Sequence, residues 1–237
     1  MTIDRETNYF DPDYLASRQK VTREYRELAE EQLPTPEKDW GIIWPLSGPD
    51  LTFEEDPTTA PEEAHKTVTY NQTKGRFETA LNLAKLVTAL RTNKDLKDIT
   101  MADIEQAGPM IYWNGRAAHN NYLAEFVASG ELEKRYNFPA SKLAITANRE
   151  IKHTDDQFED FPINILPPGE KVIIVTDFYH LPRVKRYAQK YAKKLLPEEV
   201  VLYPAQPSRL PVKMAIQEIK KIHGYSQEGI LPPDTDN

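Results

Sequence analysis

Apolar residues along this chain follow two patterns: short unbroken runs, and longer stretches where they recur every three or four positions. The first helical pattern opens at Asp11-Pro12-Asp13, an N-cap aspartate followed by proline at the first helical position. Tyr14, Val21, Tyr25 and Leu28 then recur with charges between them, which predicts an amphipathic helix on the outside of the core. "LPTPEKD" ends it with two prolines and reads as a linker. "WGIIWPLSG" carries an apolar run from Trp40 to Leu46 into the turn Ser47-Gly48-Pro49, a buried strand. The polar stretch from Asp50 to about Lys74 suits a lid or binding loop and, equally, plain disorder.

"GRFETALNLAKLVTALRTN" returns to helical spacing with Phe77, Ala80, Leu81, Ala84, Val87 and Leu90 on one face. A short helix follows Thr100, which with Asp103 resembles a capping box. A second strand spans Met110 to Trp113 and closes on Asn114-Gly115-Arg116. "AAHNNYLAEFVASG" predicts a helix ending at Gly130, "SKLAITAN" a third strand, and the polar residues from Arg149 to Asp160 a loop. "PPGEKVIIVTD" turns sharply into the most hydrophobic strand, and "HLPRVKRYAQKYAKKLL" continues as a helix with basic residues toward its C-terminal end. "EEVVLYPAQP" is a fifth strand. A last amphipathic helix runs from about Val212 to Ile222, carrying Met214, Ile216, Ile219 and Ile222.

Strands alternating with helices at this spacing predict an α/β fold with a doubly wound, mostly parallel, Rossmann-like sheet of about five strands. Residues 1–39 form an N-terminal helical extension and linker, and residues 40–237 a single domain. A net charge of −7 argues against a general nucleic-acid binder, which needs a basic face to displace counterions. A local basic cluster can still hold one small anion. The absence of cysteine removes disulfides, thiol nucleophiles and thiolate metal sites. No window approaches the roughly 20 apolar residues of a membrane span, and the N-terminal stretch does not read as a secretory signal. The expectation is a soluble, cytoplasmic protein.

In an open parallel sheet, ligands sit beyond the carboxyl ends of the strands, near the point where strand order reverses. The segments there are Ser47-Gly48, Asn114-Gly115-Arg116, Asn148-Arg149 and Thr176 to Arg183. None forms a dinucleotide fingerprint, a P-loop or a nucleophile elbow. "VIIVTDFYHLPR" concentrates the chemistry. His180 stands at a helix start, where it can meet an anion beside free backbone N–H groups and exchange a proton near neutral pH. Arg183, three residues on, offers a fork to phosphate or carboxylate, or else a salt bridge. Asp177 can orient the imidazole, bind a hydroxyl, or simply cap. Asp155-Asp156 with His153 is a weak metal candidate, better read as a solvated loop. His65 and His119 stand alone, and Trp40, Trp44 and Trp113 read as core.

"VIIVTDFYHLPRVKRYA" resembles the valine-threonine-x-x-tyrosine-histidine-x-x-arginine segment of the SanA/YdcF/ElyC-like family of bacterial Rossmann-like proteins. The resemblance covers roughly Trp40 to Ile222. It carries motif positions onto Thr176, Tyr179, His180 and Arg183, onto Arg76 and Ala80 in "GRFETALNLAKLV", onto Gly115, and onto Thr154 and Asp156 in "REIKHTDDQFED". Pro45-Leu46-Ser47, Asn114, Arg116, His153, Asp156 and Gln157 depart from the family's pattern. What the resemblance implies is a Rossmann-like domain with a ligand pocket. Some members of the family are linked to the cell envelope, and one binds S-adenosylmethionine.

Three readings follow. One is a pocket for a small anionic or nucleotide-like ligand, S-adenosylmethionine included, with transferase or hydrolase chemistry at His180 and Asp177. Another is a non-catalytic metabolite sensor or envelope-related regulator using the same pocket. The third is an interaction protein working through Phe53-Glu54-Glu55-Asp56 and the N-terminal helix.

Overall fold

The structure, a computed structural model, describes residues 11–48, 72–146, 150–162, 165–195, 197–205 and 212–232. Asn148 and Arg149, most of the polar stretch after Ser47-Gly48, the Phe53–Asp56 segment and His65 lie outside the described residues.

Helix α1 (Pro12–Glu30) begins where Asp11 accepts the Asp13 N–H at 2.9 Å. Then come β1 (Trp40–Pro45), α2 (Gln72–Thr92), α3 (Met101–Ala107), β2 (Met110–Trp113) and α4 (Ala117–Ala128). The chain continues through α5 (Glu131–Tyr136), β3 (Leu143–Ile145), α6 (Thr154–Asp160), β4 (Lys171–Thr176), α7 (Leu181–Lys190), β5 (Val200–Pro204) and α8 (Val212–Gln227). All five strands pair in parallel, in the order β3-β2-β1-β4-β5. This is the doubly wound, Rossmann-like α/β arrangement that the alternation of strands and helices predicts.

Strand alternation builds two cores. Ile43 of β1, Ile111 and Trp113 of β2, and Ile173 and Val175 of β4 pack against α2 and α4 on one face. Ile42, Trp44, Tyr112, Val172 and Ile174 meet α6 and α7 on the other. Trp40 joins the Ile43 face because the register with β4 shifts between Trp40 and Ile42. Gly41 stands at that shift, and a Cβ there would meet the Glu170 carboxylate at 2.0 Å.

Two helices differ from the sequence expectation. The stretch from Arg149 to Asp160 is not all loop. Thr154, Gln157, Phe158 and Phe161 are buried at helical spacing, and polar residues at two of those positions mask the period. Asp156 starts α6 by accepting the Lys152 and His153 N–H groups, both at 2.8 Å. A further helix, α5, follows Gly130, whose φ of 75° allows the turn between α4 and α5. In α8 the buried face is Ala215, Glu218, Ile219 and Ile222, while Ile216 remains 43% exposed. The Thr100–Asp103 capping box is formed as expected. Among the described residues, no helix is long and apolar enough to cross a membrane.

A third apolar cluster joins Tyr14, Val21 and Tyr25 of α1 to Phe178, Leu181 and the buried face of α8. The Tyr25 phenol donates to the Tyr179 carbonyl at 2.5 Å, and its ring stacks on Phe178. Glu24 accepts both terminal nitrogens of Arg186 at 2.8 and 2.9 Å. Helix α1 therefore props up the segment that follows β4. Tyr25→Ala is expected to cost about 3 kcal/mol, typical of a buried ring replaced by alanine, and to lower a single unfolding transition in calorimetry. A helix that is only an appendage would leave that transition in place.

Candidate functional site

The strand order reverses between β1 and β4, the two strands that lead outward to opposite edges. Beyond their carboxyl ends lies a cavity of about 280 Å³. Ser47 and Gly48 reach it from β1, Tyr179 and His180 from β4, and Arg76 from α2. Arg116, Lys152 and Thr154 form one wall, and Arg183, Glu218 and Lys221 another. Gly48 permits the tight approach of β1 to α2: its N–H donates to Thr73 Oγ1 at 2.8 Å, and a Cβ would meet that oxygen at 2.9 Å.

Arg76 is fully buried beneath the cavity. Its Nε and Nη2 donate to Asp177 Oδ2 at 3.1 and 2.6 Å, and Nη1 donates to the Leu46 carbonyl at 3.0 Å. Burial alone would lower its pKa, but Asp177 and Tyr179 together outweigh burial and raise it. Asp177 thus anchors Arg76 rather than orienting the imidazole. That task falls to Thr176, whose Oγ1 lies 2.8 Å from His180 Nδ1.

His180 is 4% exposed, and among the described residues its Nε2 has no hydrogen-bond partner. Burial, then the charges of Arg183, Arg76 and Lys221, hold its pKa well below the usual histidine value. It is therefore a neutral imidazole at pH 7. The free backbone N–H groups expected beside it are largely used: His180 N–H donates to the Asp177 carbonyl at 2.9 Å, Leu181 N–H donates to Phe178, and Pro182 has none.

Arg183 does not offer an open fork. Its Nε and Nη2 donate to Glu218 at 2.6 and 3.1 Å, and Lys221 adds a third donor at 3.0 Å. Burial would raise the Glu218 pKa, but Arg183 and Lys221 hold it below the ordinary carboxylate value. Two cations therefore face one carboxylate here. Arg116 adds exposed positive charge, its Nη2 3.4 Å from the Lys152 carbonyl.

The remaining candidates stand behind the cavity. Asn114 accepts from Trp44 Nε1 at 2.9 Å and donates to the Gln157 carbonyl at 2.8 Å, tying β1, β2 and α6 together. Gly115 is buried against Trp113. Asp156 caps α6, and Asp155 is held by Lys190 and Tyr191. Among the described residues, no group of three or more His, Asp or Glu could hold a metal ion. Glu218, Lys221, Met214 and Tyr225 line the cavity from α8. One signal could have pointed to them: Glu218 falls on the apolar stripe of Ala215, Ile219 and Ile222, where a charge needs a partner.

Two outcomes are expected. Glu218→Gln leaves a buried guanidinium without its counter-charge and costs about 3–5 kcal/mol, measured by denaturant unfolding. Between the unfolded-state histidine value of 6.5 and its lowered folded value, the unfolded chain binds a proton that folded His180 does not. Thermal stability thus falls as pH drops below about 6.5, and His180→Gln flattens that fall. In comparisons with known proteins, no family model, curated protein or solved structure matches this chain.

Proposed function

We propose that this protein binds a small ligand bearing an oxyanion, of phosphorylated-metabolite or nucleotide type, in the cavity between the ends of β1 and β4. The observation that carries the reading is a buried, neutral His180 whose Nε2 has no partner among the described residues, in a cavity whose described lining carries more positive than negative charge. An oxyanion supplies both the missing hydrogen-bond partner and the missing negative charge. The same excess disfavours the sulfonium of S-adenosylmethionine, although its carboxylate could still enter. The likeness of the Thr176–Arg183 segment to the SanA/YdcF/ElyC-like proteins adds support for a ligand pocket, and none for a particular ligand.

Among the described residues, the carboxylate that lines the cavity, Glu218, is committed to Arg183, and Asp177 beneath it to Arg76. That favours binding or sensing over hydrolysis, because His180 would otherwise have to carry transfer chemistry alone. The test is calorimetric titration with inorganic phosphate, a nucleoside monophosphate and S-adenosylmethionine, beside a phosphomonoester turnover assay. The two phosphate compounds are expected to bind, and Arg116→Ala to weaken them about tenfold, the value of one charge-assisted hydrogen bond. Binding by S-adenosylmethionine alone overturns the oxyanion reading, and turnover that depends on His180 overturns the sensing one.

A further inference from the structure

We propose that His180 meets its ligand as a hydrogen-bond donor through Nε2–H, and not as a base through a lone pair. This rests on the cavity being the ligand site and specifies how that site reads its ligand. The selecting group is Thr176. Its side chain is fully buried, and His180 Nδ1, 2.8 Å away, is the only partner of its hydroxyl among the described residues. A hydroxyl has one proton to donate, and here the ring nitrogen is the acceptor within reach. Were the ring to carry its proton on Nδ1, the Thr176 proton would be buried without an acceptor. That arrangement is unfavourable. With Thr176 donating, Nδ1 is the acceptor and the proton of the neutral ring resides on Nε2.

The cationic surroundings pull the other way, since Arg76, Arg183 and Lys221 would favour a lone pair facing them. None of them donates to Nε2, however. Arg76 is turned to Asp177 and Leu46, and both Arg183 and Lys221 to Glu218. The hydroxyl of Thr176 therefore decides the tautomer. The chemical class of ligand follows: the group placed at His180 is an acceptor, a deprotonated phosphoryl or carboxylate oxygen, and not a sugar hydroxyl awaiting deprotonation. Thr176 is a positioning residue, acting through the ring.

Nitrogen-detected NMR on the full-length, 15N-histidine-labelled protein at pH 7.5 tests the tautomer without any ligand, with His180→Gln supplying the assignment. The expected spectrum shows Nδ1 as the unprotonated, pyridine-type nitrogen and Nε2 as the protonated one. The reverse pattern overturns the proposal. Thr176→Ser keeps the hydroxyl and should keep the pattern, whereas Thr176→Val should lose the preference, and an unchanged tautomer in Thr176→Val sinks the role given to that residue. The second arm titrates inorganic phosphate. His180→Gln places an amide N–H near the same point and should bind within about threefold of the native protein, while His180→Phe should lose about tenfold or more. Equal affinity for the Gln and Phe variants, in proteins of native circular dichroism, counts against donation. Absence of phosphate binding by the native protein counts against the ligand reading alone, because the spectrum is read on the free protein.

Discussion

One buried guanidinium joins the two strands between which the strand order of this parallel sheet reverses. Arg76 enters from the first turns of α2, pairs with Asp177 at the end of β4 and donates to the Leu46 carbonyl just past β1. Leu46 N–H donates to the Val175 carbonyl at 3.0 Å, so the backbone already pairs these strands to their carboxyl ends, and the Arg76 contact ties together the segments that leave them. Burying both charges is unfavourable by several kcal/mol per ion, offset only where geometry and hydrogen bonding are good. Both conditions are met here. The pair is better understood as fixing the geometry of a crevice than as a source of net stability.

The rest of the site is arranged around that clamp. Thr176 and His180 flank Asp177 in sequence, and Thr176 orients the imidazole, its Oγ1 lying 2.8 Å from His180 Nδ1. Arg183 repeats the device one turn later, attaching α8 to α7 through Glu218. Each pair uses up a carboxylate that might otherwise have served as a base. Among the described residues, what remains facing the cavity is a neutral ring and surplus positive charge, even though the chain as a whole carries −7. Helix α1 supports the arrangement from behind, with Tyr25 bonded to the carbonyl of Tyr179.

The elements with uninterrupted apolar patterns were legible in the residues. The runs at Trp40–Leu46 and Val172–Val175 read as buried strands, and the face from Phe77 to Val87 as a packed helix, and both are so in the structure. Where polar residues take buried positions, the pattern fades. In α6, Thr154 and Gln157 occupy half of the inward face, so the period could not be seen until Phe158 and Phe161 were found beneath the sheet. Ile216 misled in the opposite sense, an apolar residue left on the outside of α8.

The order of apolar and polar residues determined the parallel α/β fold, and with it the edge at which a crevice would open. Eight of the residues that the segments after the strands and the family likeness suggested do line the cavity, from Ser47 and Gly48 to Arg183. Their roles were decided only by tertiary contacts. Asp177 is separated from Arg76 by 101 positions in the chain, and Arg183 from Glu218 by 35. Local spacing can place a charged side chain on a face, but it cannot say which distant charge will meet it. Whether an arginine binds a ligand or holds a neighbouring helix depends on that partner, and so does whether a histidine between such arginines carries a charge.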